Sequence, residues 1–329
     1  MKLFGFSLLR NGLKYDYPFR ESLESLGELT GNVYLALGKS EDGTEKAVSN
    51  FKFLKIIPSL WDDQLREGGK ILSQQTNVAL DALRAEHKDV WGFYLQADEV
   101  IHEDDFEKIK IDLKNAQEQG FDAVSFRYFH FWLTYDQICI GKRWYPQEIR
   151  AIKLNSDIKS YGDAQSFSNV KKVYESDAFI YHYGHVREAA KYELKKQDFH
   201  RYWHDDETMI KKIAQAKVDD SKEETLKYLG PHPKFMRSRM GNLKYEKVDH
   251  VSICGVENNY SPKVRNSICA IKVEWVGSSD EKCVDMKEPK FWFLGGGIPS
   301  KMRSKNAREF PNDLKLILKL SQAGIGVGP

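Results

Sequence analysis

The stretch WGFYLQADEVIHEDD, residues 91–105, begins as an apolar run and becomes acidic at Asp98 and Glu99. The run shows no alternation of apolar and polar residues, which favours a strand covered on both faces. The two acids then stand where the strand leaves the core. Ligands of open α/β sheets bind outside the carboxyl ends of the strands. The stretch therefore predicts a buried strand that ends at a ligand crevice, with the acidic pair at its edge.

Apolar and amphipathic segments alternate on both sides of this stretch. We predict strands within residues 3–9, 32–38, 51–59, 89–97 and 121–132. Helices are predicted within residues 18–26, 68–87 and 104–120, together with a shorter helix that has Ser40 as its N-terminal cap. Strands that alternate with helices indicate βαβ units. The predicted fold class is therefore α/β, with a mostly parallel, Rossmann-like sheet flanked by helices.

The pattern changes after residue 217, which predicts a division of the chain. Residues 218–248 are polar and charged and contain GPHPKF, so we interpret them as a linker between a domain at 1–217 and a segment at 249–329. Strands are predicted at 248–256, 266–279 and 290–300, and a helix at 311–324. This pattern predicts a small C-terminal α/β segment, whose role the sequence leaves open.

Bulk composition excludes several classes of protein. The 329 residues carry a net charge of +2, and 41 % of them are hydrophobic, which suits a globular protein with a sizeable core. A dedicated nucleic-acid binder would carry a clear basic excess, so no nucleic-acid partner is expected. No apolar run is long enough for a transmembrane segment, which leaves peripheral membrane contact open. The four cysteines form no CxxC pair, and we therefore expect a reducing, cytoplasmic location.

Asp98 and Glu99 provide the kind of ligand that a hard cation prefers. Carboxylates at a strand end suit Mn²⁺ or Mg²⁺, and one carboxylate can suffice where a diphosphate supplies further oxygens. Gln96 lies on the same face as Asp98, since side chains alternate along a strand. Its amide can reach a metal-bound water or a sugar hydroxyl without adding charge. An alternative is that the acids only cap the next helix, which is predicted to begin near Glu103.

Polar residues recur at the ends of the predicted strands in a fixed order. They are Asn11, the loop residues Ser40, Asp42, Gly43 and Thr44, then Asn77, and finally the motif from Gln96 to Glu99. In this order and spacing, residues 1 to about 215 resemble the family-2 glycosyltransferases. The resemblance implies the A-type glycosyltransferase fold, a nucleotide-sugar donor and Mn²⁺ or Mg²⁺ at the acidic motif. The chain departs from the family at Gln96, where an Asp is usual, and in its second strand, LALGK, which lacks the Asp that contacts the base in many relatives.

The resemblance and the strand-end positions assign donor contacts. The residues predicted to contact the donor are Leu9, Arg10, Asn11, Lys39, Asp42, Asn77, Gln96 and Arg187. Arg187 would hold phosphate with two parallel hydrogen bonds. Alternatively, Arg10 and Lys39 are solvated loop charges. The different second strand implies that recognition of the base differs from that in the relatives.

The metal is predicted to bind Asp98 and Glu99. In the family, a histidine of a late segment can complete the metal site, and the segment YHYGHVRE resembles it. His182 and His185 are the two candidates within this segment. The alternative is that both histidines are structural.

An inverting transfer needs a base that deprotonates the acceptor hydroxyl. In the family this base is an acid in the segment that follows the fifth strand. Asp163 in YGDAQSF is the first candidate and Glu148 in WYPQEIR is the second. Either acid could instead cap a turn or pair with Arg150. Tyr161 of the same segment could stack on a sugar ring.

The resulting hypothesis is a metal-dependent glycosyltransferase with a glycan or glycan precursor as acceptor. One alternative is a sugar-nucleotide-binding protein that has lost catalysis, which Gln96 favours. Another is a nucleic-acid-binding or protein-binding module, which the lysine-rich helical stretch at 187–217 favours and the small net charge opposes.

Overall fold

The computed structural model describes residues 1–241, apart from residues 66, 142, 201, 203–222 and 229, and three strands further along the chain. The chain divides into two compact units. The larger unit comprises Met1–Tyr135, Gln147–Glu223 and His232–Gly241, and the smaller comprises Asp136–Pro146, Glu224–Pro231 and Asn242–Pro329. The predicted division into residues 1–217, 218–248 and 249–329 stays a prediction.

The strands are short and bounded as follows. In chain order they are Leu3–Leu9 (β1), Val33–Gly38 (β2), Leu54–Ser59 (β3), Trp91–Tyr94 (β4), Glu99–Ile101 (β5), Ala123–Trp132 (β6), Gln137–Cys139 (β7), Gln147–Lys153 (β8), Lys159–Ser160 (β9), Phe167–Ser168 (β10), Val173–His185 (β11), Thr225–Lys227 (β12), Val251–Gly255 (β13), Cys269–Val273 (β14) and Phe291–Leu294 (β15). The α-helices are Phe19–Thr30 (α1), Thr44–Val48 (α2), Lys70–Glu86 (α3), Phe106–Glu118 (α4), Ala189–His200 (α5) and Arg237–Met240 (α6), with 3₁₀ turns at Glu103–Asp105 and Lys234–Met236.

Four parallel strands form the part of the sheet that positions the site. Their order is β3-β2-β1-β4, and every neighbouring pair runs parallel. The sheet continues from β4 through antiparallel β8 to β6, and β11 then pairs parallel with β6 and antiparallel with β5. Because parallel strands end on one side, the loops after β1, β2, β3 and β4 share one edge of the sheet. We call this the carboxyl edge.

Helices cover both faces of the parallel part. Side chains alternate along β1, so Gly5 and Phe6 face opposite sides. Phe6 lies in a buried cluster with Leu80 and Leu83 of α3. On the other side, Gly5 is so close to α1 that a Cβ atom would lie 2.7 Å from Leu26 Cγ. The two helices therefore sandwich the strand, which explains why β1 and β2 are continuous apolar runs.

The predicted fold class is confirmed. The strands predicted within 3–9, 32–38, 51–59, 89–97 and 121–132 occur as β1, β2, β3, β4 and β6, and the three predicted long helices occur as α1, α3 and α4. The C-terminal strands predicted at 248–256, 266–279 and 290–300 occur as the antiparallel sheet β13-β14-β15. The helix predicted at 311–324 lies outside the described residues.

Two details differ from the predictions. Ser40 as a helix cap is wrong, because α2 begins at Thr44 after Gly43, whose φ of 82° is left-handed. The Ser40 hydroxyl instead accepts a hydrogen bond from the Asn11 N–H at 3.0 Å. The sequence also gave no sign that antiparallel β8 lies between β4 and β6. Of the predicted lysine-rich helix at 187–217, α5 covers residues 189–200, and residues 203–222 are not described.

No helix in the described part of the chain combines the length and the apolar character needed to span a bilayer.

Candidate functional site

Two backbone pairings bring a histidine to Asp98, which lies just past the end of β4. β5 pairs with β11 so that Glu99 is opposite His182. The Tyr183 N–H donates to the Asp98 carbonyl oxygen at 2.8 Å. His182 Nε2 thereby lies 3.8 Å from Asp98 Oδ2. A Cβ atom on Gly184 would lie 2.4 Å from His182 Nε2, so this close approach requires glycine at position 184.

Lys195 of α5 approaches the same carboxylate. Its Nζ lies 3.4 Å from Asp98 Oδ2 and donates to the Gly184 carbonyl oxygen at 3.2 Å. The Nζ also lies 4.7 Å from the centroid of the Tyr17 ring. The side chain of Lys195 is only 14 % exposed, and that of Asp98 is 10 % exposed. The ammonium is therefore held in a largely desolvated position directly beside the strand end.

Arg187 supplies a second cation at this place. Its two terminal nitrogens donate to the carbonyl oxygens of Tyr15 and Gly184, and its guanidinium lies 4.9 Å from the centroid of the Tyr17 ring. Its Nε is buried and has no hydrogen-bond partner among the described residues. A buried donor without a partner is unfavourable, so a ligand oxygen at this position would stabilise the arrangement.

The charges of these groups shift one another. Burial alone would raise the pKa of Asp98, but Lys195, His182 and Arg187 together outweigh it and lower the pKa. Burial and then Arg187 lower the pKa of Lys195 to about 7, in spite of the attraction of Asp98. Burial lowers the pKa of His182 and holds that of His185 well below its usual value. Both histidines are therefore neutral near pH 7, and an anion bound beside Lys195 would keep its proton in place.

Glu99 points away from this group and into the core. Its Oε1 accepts hydrogen bonds from Arg150 Nη2 at 2.7 Å and from the Tyr128 hydroxyl at 2.8 Å. Its Oε2 accepts from Arg150 Nε at 2.9 Å and from the Gln96 N–H at 3.0 Å. The side chains of Glu99 and Arg150 are both fully buried. Glu99 thus forms a paired, fully bonded structural ion pair, and both of its oxygens are engaged.

Gln96 and Arg150 tie the strand end to a second loop, which we call the acceptor loop and define as residues 161–166. The Gln96 side-chain amide donates to the Ala164 carbonyl oxygen at 3.2 Å. Arg150 Nη1 donates to the Gln165 carbonyl oxygen at 2.8 Å. A side-chain amide can donate this bond and a carboxylate cannot. This contact accounts for a Gln, rather than the usual Asp, two residues before Asp98.

The acceptor loop carries the first candidate for the base. Asp163 Oδ1 accepts a long hydrogen bond from the Gln165 N–H at 3.3 Å, and Asp163 has no ion pair within the described residues. Glu148 of β8 accepts from the Gln165 side-chain amide at 2.6 Å. Both acids are half-buried, and neither pairs with Arg150, which binds Glu99 instead.

Asn11 and Asp42, predicted to contact the donor, connect the loops after β1 and β2. Asn11 adopts a left-handed φ of 53°, and its side-chain oxygen accepts from the Glu41 N–H at 2.9 Å. Asp42 accepts from the Lys14 N–H at 2.5 Å and from the Thr44 N–H at 3.0 Å. These bonds outweigh burial and lower the pKa of Asp42. Both residues shape the carboxyl edge through its backbone.

The remaining residues predicted at β1 and β2 fall into three environments. Leu9 is buried at the end of β1, and Lys39 is exposed after β2. Arg10 forms a two-pronged ion pair with Asp63 and lies 5.4 Å from the centroid of the Trp61 ring. Arg10 is thus a paired residue of the carboxyl edge, whereas Lys39 fits a solvated loop charge.

Asn77 and His185 lie in supporting positions. The Asn77 side chain makes two hydrogen bonds, both of 2.9 Å, to the backbone N–H and carbonyl oxygen of Ser160, and so fixes β9 to α3. His185 has its Nδ1 3.3 Å from the Tyr192 hydroxyl and its ring 4.8 Å from that of Trp132. Neither side chain is placed beside Asp98 as closely as His182 is.

The contacts of the predicted metal ligands do not fit a resident Mn²⁺ or Mg²⁺. Within the described residues, no group of three or more His, Cys, Asp or Glu side chains is placed to hold a metal ion. Glu99 has both oxygens engaged, and the His185 ring centroid lies 6.0 Å from that of His182. Asp98 and His182 remain, and a cation between them would have the Lys195 ammonium beside it.

Three residues of the site were not predicted from the sequence. Lys195 was one of many lysines in a stretch read as a charged helix, and its only signal is the helix's place directly after YHYGHVRE. Arg150 was noted only as a partner for Asp163 or Glu148. Tyr17, in the loop before α1, gave no signal at all, because its role depends on cations from a distant segment.

The sequence matches no known protein family and no curated protein. Among solved structures, the chain is similar to TarS of S. aureus, with a TM-score of 0.36 and 14 % identity over 60 % of this chain and 38 % of that chain. TarS 1-349 in complex with UDP-GlcNAc gives a TM-score of 0.37 and 15 % identity over 67 % and 72 % of the two chains. The 4-diphosphocytidyl-2C-methyl-D-erythritol synthase of Anaerococcus prevotii gives 0.33 and 12 % over 66 % and 98 %. The chain thus spans well under half of the length of the first of these.

Proposed function

We propose that this protein transfers a sugar from a nucleotide-sugar donor to a hydroxyl group of a glycan or glycan precursor, with inversion at the anomeric carbon. The observation that carries the proposal is the gathering of Lys195 and Arg187 beside Asp98 at the carboxyl edge. Cations at this edge suit a diphosphate. The acceptor loop, tethered through Gln96, supplies a carboxylate next to them.

The reaction follows from these positions. The acceptor oxygen attacks the anomeric carbon and forms the new glycosidic bond. The bond from that carbon to the diphosphate oxygen breaks, and its electron pair remains on the leaving nucleoside diphosphate. The proton of the acceptor hydroxyl passes to a carboxylate of the protein. The cations stabilise the negative charge that develops on the leaving group.

Asp163 is the proposed base. Its one hydrogen bond in the described part of the chain is long, at 3.3 Å, so the carboxylate is available to a substrate hydroxyl. Glu148 is the second candidate, although the 2.6 Å hydrogen bond from Gln165 engages one of its oxygens. Tyr161, two residues before Asp163, is 55 % exposed and offers a ring on which an acceptor sugar can stack.

Asp163→Asn tests the proposal. Turnover is measured as nucleoside diphosphate released from a panel of nucleotide-sugars with mixed oligosaccharide acceptors, and donor affinity is measured separately by calorimetry. We expect transfer to fall by roughly a hundredfold or more, the scale of a general base, with donor affinity nearly unchanged. The configuration of the product at the anomeric carbon, determined by NMR, tests inversion.

Glu148→Gln is the matched comparison, because it removes the other carboxylate near the loop. Normal turnover of Asp163→Asn together with loss of turnover in Glu148→Gln would move the base to Glu148. Donor binding without turnover in the wild type, with every acceptor tried, would instead favour a sugar-nucleotide-binding protein. Failure of every nucleotide-sugar to bind would refute the proposal.

A further inference from the structure

We propose that the Lys195 ammonium, with Arg187 beside it, takes the place that a divalent metal would occupy next to Asp98. The diphosphate of the donor would then be bound and neutralised by side chains, without a metal ion. This inference rests on the proposed function, and it names the groups that stabilise the leaving diphosphate.

Lys195 is held where such a cation is needed. Its Nζ lies 3.4 Å from Asp98 Oδ2 and 3.2 Å from the Gly184 carbonyl oxygen, over the face of Tyr17. The carboxylate and the carbonyl oxygen both attract an ammonium, and the aromatic face adds to this. Asp98 therefore anchors a protein cation, which is a different use from that of an open metal ligand.

Arg187 extends the cationic surface. Its terminal nitrogens are fixed by backbone carbonyls, while its buried Nε has no hydrogen-bond partner among the described residues. This Nε is an observation independent of Lys195, and it too points to a missing acceptor atom. A phosphate oxygen is an acceptor of the right charge, and arginine is well suited to phosphate.

The balance of charge favours an anion over a divalent cation. Lys195 and Arg187 provide two positive charges against the single negative charge of Asp98, and Arg150 already neutralises Glu99. A divalent ion at Asp98 Oδ2 would lie within a few ångströms of the Lys195 ammonium, and the two would repel each other strongly in this desolvated place. A diphosphate would instead reverse the excess of positive charge.

The inferred role concerns one step of the transfer. As the bond between the anomeric carbon and the diphosphate oxygen breaks, the electron pair stays on that oxygen. The added negative charge is stabilised by Lys195 and Arg187. The acceptor oxygen completes the new bond, and its proton goes to Asp163, so no metal-bound group takes part.

Calorimetry with two probes, UDP and inorganic diphosphate, tests the inference on the full chain. Each is titrated in excess EDTA and again with Mn²⁺. The variants are Lys195→Met, which removes the charge and keeps a linear stem, and Lys195→Arg, which keeps the charge. The control is Lys191→Met, on the same helix, whose lysine has no ion pair within the described residues. Circular dichroism and the Tm of each variant confirm folding.

We expect wild type and the control to bind both probes in EDTA. Lys195→Met should bind them about ten- to a hundredfold more weakly, the scale of one charge-assisted hydrogen bond, and Lys195→Arg should recover most of this. Mn²⁺ should improve binding by Lys195→Met more than by wild type, because the Asp98 carboxylate is then open to the ion.

Two results would overturn the inference. One is binding of both probes by the wild type only when Mn²⁺ is present. The other is equal binding by wild type and Lys195→Met in EDTA. If nucleotide-sugars are turned over but only with Mn²⁺, the proposed function stands and the inference fails. If UDP does not bind but diphosphate binds in EDTA through Lys195, the cation pair is confirmed and the nucleotide-sugar proposal fails.

Discussion

Glu99→Gln should unfold the protein far more readily, even though its neighbour Asp98 is the residue beside the proposed ligand. Glu99 is fully buried and its two oxygens accept four hydrogen bonds, two of them from Arg150. Glutamine has the same size but lacks the charge, and its NH₂ group would face a donor of Arg150 or the Gln96 N–H. The guanidinium would then lie buried without a counter-ion.

Breaking a buried ion pair by removing one partner costs about 3–5 kcal/mol. For a unit of this size, that corresponds to a fall in Tm of roughly 10 °C. Asp98→Asn is the matched control, since it makes the same chemical change one residue earlier. Its partner Lys195 has a pKa of about 7 and can lose its proton when the carboxylate is gone, whereas a guanidinium cannot. We therefore expect a smaller cost for Asp98→Asn, on the order of 1 kcal/mol.

The assay is urea unfolding at pH 7, followed by circular dichroism, with UDP binding measured on the same preparations. Glu99→Gln should shift the urea midpoint strongly, and Asp98→Asn should chiefly reduce UDP binding. A double variant, Glu99→Gln with Arg150→Met, should regain part of the stability lost by the single change, because it removes the unpaired charge. The reasoning fails if Glu99→Gln costs less than about 1 kcal/mol, the value of an exposed pair. It also fails if the two single variants cost the same.

Three further changes test the site and the loops around it. Gly184→Ala should lower UDP affinity at least tenfold in calorimetry, because its Cβ would lie 2.4 Å from His182 Nε2; unchanged affinity would show that this contact is unimportant. Gln96→Asp should reduce kcat/KM, since it loses the donor to the Ala164 carbonyl oxygen and places a carboxylate there; higher activity with Mn²⁺ would instead support a metal site. Asp42 has a lowered pKa, so its contribution to stability is present above the unfolded pKa of about 3.9 and is lost as pH falls through the folded value. Asp42→Asn should therefore lower the urea midpoint at pH 7 and leave it nearly unchanged at pH 3.

The sequence predicted the strands and helices well where one physical signal dominated. β1, β2 and β4 are continuous apolar runs, because helices cover them on both faces, and such runs can be recognised without any knowledge of the partners. Asp98 was placed correctly at the edge of the sheet for the same reason. Antiparallel β8 was not predicted, since it is only partly buried and its place between β4 and β6 depends on pairing with distant strands.

The side-chain contacts of the site could not be predicted in the same way. Gln96, Glu99 and Arg150 form one connected set, but their bonds join residues 51 or more positions apart, as for Glu99 to Arg150, or 68, as for Gln96 to Ala164. Spacing along the chain reports which side chains share a face, and it does not report which distant segment arrives opposite. The same limit explains why Lys195 was read only as part of a charged helix.

The double attachment of the acceptor loop limits how a new acceptor specificity could be engineered. Gln96 and Arg150 grip the carbonyl oxygens of Ala164 and Gln165, and carbonyl groups are present whatever the side chains are. A loop graft that keeps the backbone course at these two positions can therefore vary residues 161–163 without disturbing the strand end. A graft that changes the length between the two grips would free Arg150 from one carbonyl and would be transmitted, through Glu99, to the position of Asp98.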